Sequence, residues 1–110
     1  MATSYKILGQ ADLAASSLTD IYTCPASTET VISSIIMANR AGTANTFRIA
    51  IRDDGDAVAD KHYIAYDVPL AANDSTTLTL GITVEATDVV SVYATGADTT
   101  VNIFGAEIAV

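Results

Sequence analysis

Apolar residues in this chain recur at every second position, in short runs separated by turn-forming residues. Over residues 46–52 the alternation is strict, with Phe47, Ile49 and Ile51 on one side and Arg48, Ala50 and Arg52 on the other. Period two is the spacing of a β-strand with one face in a core. Residues 30–39 are rich in β-branched side chains, and Ala41-Gly42-Thr43-Ala44-Asn45 between the two runs is small and turn-forming. Residues 28–52 therefore predict two strands joined by a tight turn. A lone hairpin does not hold together in water, so further strands must cover its apolar face.

The rest of the chain supplies them. Strands are predicted at residues 5–10, 18–24, 61–70, 76–82, 89–94 and 99–108. Pro25 ends the second, and Pro69 marks an end or an edge, because proline gives no donor to a ladder. Gly81, inside an alternating run, suggests a bulge or a close approach. In residues 61–70 simple alternation puts His62, Ile64, Tyr66 and Val68 on one face and Tyr63, Ala65 and Asp67 on the other. The stretch ADLAASS is long enough for one helical turn and too short for more. About eight strands at regular spacing, with no sustained helical periodicity, predict one all-β domain over residues 1–110. Its expected architecture is an antiparallel β-sandwich, jelly-roll or Ig-like. The expected core is Ile7, Ile21, Ile35, Met37, Phe47, Ile49, Ile51, Leu78, Leu80, Val90, Val92 and Ile103.

Residues 31–38 break the one-polar-face rule of a surface sheet. Period two places Val31, Ser33, Ile35 and Met37 on one face and Ile32, Ser34, Ile36 and Ala38 on the other. Both faces are then mostly apolar, so the strand is either covered twice or covered on its outer side by another chain. Three of the five basic residues, Arg40, Arg48 and Arg52, fall on the same hairpin, whereas the acids sit mostly in turns. Two readings stand side by side: a solvated face with local ion pairs, or an inter-subunit patch. On the second reading Ile32, Ser34, Ile36, Arg40, Arg48 and Arg52 are the expected interface of a homo-oligomer with closed symmetry, a trimer or a ring.

Charge narrows the partners. Thirteen acids against five bases give a net charge of −8. That excludes nucleic acid and anionic membrane surfaces as expected partners, since both need a positive footprint. No apolar run approaches the roughly 18 residues of a spanning helix, and MATSYKILGQ lacks the pattern of a signal peptide. The single cysteine, Cys24, is expected to be a small buried residue, with an interchain bridge or a reactive thiol as the alternative.

Candidate chemistry is sparse. His62 is the only histidine, and no Cys/His cluster or nucleophile–base spacing accompanies it, so a hydrogen-bonded structural role is expected. Asp53-Asp54-Gly55-Asp56, with Asp60 nearby, has the oxygen ligands a hard cation wants. Its spacing does not match a calcium loop, and Asp and Gly are turn formers in any case. No catalytic residue, cofactor or metal is expected. The absence of Trp, with Tyr63 and Tyr66 on opposite faces, argues against an aromatic platform for sugars.

Two stretches, TDIYTCPASTETVISSIIMANRAGTANTFRIAIR and KHYIAYDVPLAANDSTTLTLGITVEATDVVSVYAT, carry a resemblance. Together they resemble a family of small virion structural proteins of tailed bacteriophages. The shared motifs fall at residues 21–26, Asn39-Arg40, and residues 46–52, 61–67, 72–74 and 80–94. Two departures stand out: Cys24 replaces an apolar residue, and Asp53-Asp54 stands where relatives often carry Pro or Gly. The resemblance implies a non-enzymatic β-sandwich made in the host bacterial cytoplasm and ending in the virion. It implies contacts with capsid, neck or tail proteins, as a capsid decoration (cement) protein, a neck or collar part, or a tail component; a tail-associated host- or glycan-binding module is the competing reading.

Overall fold

The computed structural model describes residues 2–79 and 81–110. Among them are nine strands: β1 (Thr3–Leu13), β2 (Thr19–Thr23), β3 (Thr28–Asn39), β4 (Asn45–Arg52), β5 (Tyr63–Leu70), β6 (Ser75–Leu78), β7 (Ile82–Glu85), β8 (Val89–Ala94) and β9 (Thr99–Ala109). The first sheet runs β1-β9-β3, and β6 and β7 pair successive stretches of the far edge of β3. The second runs β2-β8-β4-β5. Every pairing is antiparallel. Taken as one interrupted strand, β6 and β7 reduce the count to eight, four to a sheet. The chain crosses between the sheets at almost every connection, and only β4 and β5 are both consecutive and paired. Of the two expected sandwiches this is the jelly roll.

The core lies between the sheets. Phe47 and Ile49 of β4 and Val90 and Val92 of β8 meet Ile32, Ile35 and Met37 of β3 and Val101 and Ile103 of β9. All are essentially sealed from water. Leu13 and Leu70 close the edges; Ile21, Ile51 and Leu78 pack against the core half-buried. Ile7 is not a core residue: it is 53% exposed. Leu80, expected in the core, lies outside the described residues.

β3 does not keep one phase. Thr30 and Ile32 face inward, and so do Ile35, Met37 and Asn39. The switch is a β-bulge: Ile32 pairs with Gly105 and Ser34 with Phe104, leaving Ser33 as the extra residue. The Ser33 hydroxyl donates to the Phe104 carbonyl at 3.1 Å. The expected split of residues 31–38 into two apolar faces is therefore corrected, because a bulge exchanges the faces halfway along the strand. β1 carries a matching shift, with Ile7 opposite Phe104 and Gly9 opposite Ile103. Leu8 is its extra residue and packs on the core, while Ile7 is turned out.

β5 is bulged too, with register shifts on either side of its Ala65–Ile49 pair and Asp67 at φ 52°. Ala65 and Val68 consequently both pack on the core. Tyr63 and Tyr66 share the outer face, their rings 4.9 Å apart and edge to face, which corrects the simple alternation expected there. The helical turn allowed by ADLAASS does not form; β1 continues to Leu13 instead. Short 3-10 turns occur at Asp53–Gly55 and Asp60–His62.

Candidate functional site

The six expected interface residues do not form one surface. Ile32 is 1% exposed and belongs to the core. Ser34 and Ile36 follow the bulge and face outward, half-buried, from the first sheet. Arg48 and Arg52 lie on the outer face of the second sheet, on the opposite side of the sandwich. Arg40 follows the end of β3.

All three arginines are engaged within the chain. Arg52 donates from Nε to Ser91 Oγ at 3.2 Å, from one terminal nitrogen to the carbonyls of Gly55 and Asp56, and from the other to Asp20 Oδ1 at 2.8 Å. It pins the acidic loop after β4 across the second sheet and covers the buried Ser91. Arg48 grips Asp67 with two nitrogens and lies 4.1 Å from the Tyr66 ring centre and 4.7 Å from that of Tyr93. Arg40 pairs with Asp12 at 2.9 Å and approaches Asp98 at 3.8 Å. Asn39 beside it is buried: its amide donates to the Thr43, Leu70 and Ala71 carbonyls and its oxygen accepts from the Ala41 amide. The Asn-Arg pair singled out in the sequence is thus a plug for the β3–β4 turn and a clamp beside it.

The acidic loop gathers Asp53 and Asp54 with Asp88, their carboxylate oxygens within 4.8 Å of one another. Both Asp88 oxygens already accept amide hydrogens, from Asp54 and Glu85, each at 2.9 Å. Its shared hydrogen bond and like charge push the Asp53 carboxyl up from its ordinary range. Asp60 lies outside this cluster. The Nδ1 of His62 accepts the Ala59 amide at 2.9 Å, and its buried Nε2 has no partner among the described residues. No hydroxyl or thiol among the described residues bonds to this imidazole, so no nucleophile–base pair is assembled.

A second polar network closes one end of the sandwich. Lys6 pairs with Glu107, Glu107 accepts the Tyr22 hydroxyl at 2.6 Å, Tyr22 meets Thr30 Oγ1 at 2.8 Å, and Thr30 meets Cys24 Sγ at 3.3 Å. The Lys6 ammonium, seconded by Tyr22, holds Glu107 below the usual carboxylate range. Burial, then the bond to Glu107, pushes the Tyr22 hydroxyl upward. Cys24 is buried within this network and unpaired.

The sequence reading missed the outer face of the first sheet. Pairing aligns Thr3, Ile108, Glu29 and Glu85 in one row across β1, β9, β3 and β7. Tyr5, Ala106, Val31 and Thr83 form the next row, and Ile7 and Phe104 begin a third. Tyr5 is 86% exposed and Val31 38%. Tyr5, Ile7, Val31, Phe104, Ala106 and Ile108 line a shallow apolar depression. The signal lay in the alternation of Tyr5 and Ile7 around Lys6, and of Phe104, Ala106 and Ile108 around Glu107. Assigning Ile7 to the core hid it.

Comparison of the sequence with known protein families finds no match, and neither does comparison with curated proteins. Among solved structures, the chain is similar to a pentameric capsid protein isolated from metagenomic phage sequences, with 15% identity and a TM-score of 0.38. The alignment covers 96% of this chain and 64% of that one, so this chain spans less than two thirds of its length.

Proposed function

We propose that this protein is a non-enzymatic structural component of a tailed-phage particle, most fittingly a capsid decoration protein that docks on the shell, with the neck, collar or tail as the alternative position. The observation that carries the reading is the exposed apolar depression on the first sheet of an otherwise acidic, well-packed domain. Exposed apolar surface on a small sandwich marks a contact with another protein. The resemblance of residues 19–52 and 61–95 to small virion proteins supports the phage setting. Quantitative mass spectrometry of purified virions tests it. A copy number on the scale of the capsid lattice fits decoration, one ring's worth fits the neck or collar, and absence from the particle overturns the reading.

Self-association into a trimer or ring is part of the proposal. Of the residues named from the sequence, Ser34 and Ile36 remain available for it, while Ile32 is buried and the three arginines are paired within the chain. Ile36→Asp is expected to dissociate the oligomer in light scattering and leave the melting temperature within a few degrees of the parent. An unchanged mass removes this contact.

One observation favours a second reading, a tail-associated glycan-binding module. Tyr63 and Tyr66 share an outer face with Tyr93, although Arg48 already occupies one side of the Tyr66 ring. Sugar titrations followed by tyrosine fluorescence distinguish it, since a decoration protein gives no response.

A further inference from the structure

We infer that the outer face formed by Tyr5, Ile7, Val31, Phe104 and Ile108 is a docking surface for a different protein, one that presents a basic side chain set among apolar ones. The inference rests on the reading of this chain as a protein that docks on a larger assembly, and it names the face and the chemistry of the partner.

The apolar part is given by exposure and pairing. Tyr5 and Ile7 stand out from β1 at 86% and 53% exposure, beside Ala106 and Phe104 of β9. The charge requirement comes from the border of the same face. Glu29 of β3 and Glu85 of β7 are direct cross-strand partners, and both are exposed. Like charges directly opposite on a sheet destabilise it. Their neighbours on this face are Ile108, Val31 and Thr83, none of them basic. The fold gains nothing from this pair, whereas an incoming ammonium or guanidinium seated between the two carboxylates gains from both.

A second copy of this chain is a poor occupant. The same face of a second copy brings the same two glutamates, so two such faces laid on each other repel. Arg40, Arg48 and Arg52 are held by their own carboxylates and carbonyls, and Lys6 is paired with Glu107. Lys61 sits in the 3-10 turn that leads into β5 of the other sheet. Phosphate-rich surfaces are repelled by the same two glutamates.

A photo-cross-linking residue in place of Tyr5, with one in place of Tyr66 as the control on the opposite sheet, tests this in cells making the protein among its native neighbours. Mass spectrometry of the adducts is the readout. Position 5 is expected to link to a polypeptide other than this chain, through a segment containing Lys or Arg among apolar residues; position 66 is not. Glu85→Lys is expected to reduce that adduct several-fold while raising the melting temperature of the isolated protein, because Glu29 then faces a lysine. Adducts only with further copies of this chain, a linked segment without a basic residue, an adduct unaffected by Glu85→Lys, or no adduct overturns the inference. An adduct of the expected kind from a chain absent from virions overturns the phage reading and leaves the docking surface standing.

Discussion

At the scale of single residues, charged side chains here act mostly as local fasteners. Arg52 is the clearest case, with every donor group engaged and its side chain 14% exposed. Hydrogen bonds of charged groups contribute about 1.5–3 kcal/mol, so Arg52→Ala is expected to lower unfolding stability by about 2–3 kcal/mol in urea titration. Arg52→Lys recovers little of it, because a single ammonium cannot span Ser91, Asp20 and the loop carbonyls together. Two carboxyls respond to pH with opposite sign. Glu107 is held low by Lys6 and Tyr22, so its folded state favours the charged form. Its contribution is present above the unfolded value of about 4.3 and is lost as pH falls through the lower folded value. Asp53 is held high by Asp88, so its ionisation opposes folding above its raised value, and the penalty disappears in acid. Asp53→Asn is therefore expected to raise the melting temperature at pH 7, with the gain vanishing below pH of about 4. Glu107→Gln is expected to lower it at pH 7 and to flatten the acid limb. A reversal of either sign refutes the assignment.

At the scale of elements, the bulges decide what faces what. Gly105 sits where β1 and β3 both shift register around β9. A Cβ there would lie 2.1 Å from the Val31 carbonyl oxygen and 3.0 Å from Ile32 Cα, both backbone atoms that cannot swing aside. Gly105→Ala is expected to cost at least about 3 kcal/mol, the upper end for overpacking, as measured by chemical denaturation; a loss below about 1 kcal/mol would show that the ladder relaxes freely. The same bulges mark where the sequence stops being legible. Strict alternation in β4 reported its own faces truthfully, since Phe47 and Ile49 are sealed and Arg48 is outside. The turn residues between runs located nearly every strand, and the all-β sandwich followed. An inserted residue, however, leaves no mark in a hydrophobic pattern. Ser33, Leu8 and the irregularities of β5 reversed the faces of Ile32, Ile7 and Tyr66 for that reason. Ile32 shares no face with Ser34 and Ile36, because the strand changes phase between them. Arg48 and Arg52 are close in sequence, but their partners, Asp20, Asp67 and Ser91, come from three other strands.

At the scale of the whole molecule, the jelly roll makes the chain depend on its last strand. β9 lies between β1 and β3 and supplies Val101 and Ile103 to the core. Without it β1 loses its ladder, because among the described residues β1 pairs with β9 alone. The network of Lys6, Glu107 and Tyr22 loses its centre at the same time. β2 pairs with β8 in the same long-range way, so almost no sheet can close until most of the chain is present. Loop-closure entropy must then be overcome before these contacts stabilise anything, which slows folding. The full chain is accordingly expected to refold in milliseconds to seconds rather than microseconds, in a single concerted phase. A chain ending before Thr99 is expected to show no cooperative thermal transition and to expose its apolar β3 face to a hydrophobic dye. If that truncated chain melts cooperatively, β1 and β3 have found another arrangement, and the central place given to β9 is wrong. If it does not melt but folds once a separate peptide of residues 99–110 is added, strand complementation has been shown directly. The docking face described above should then appear together with the fold, because Phe104 and Ile108 of that face stand on the outer side of that same strand.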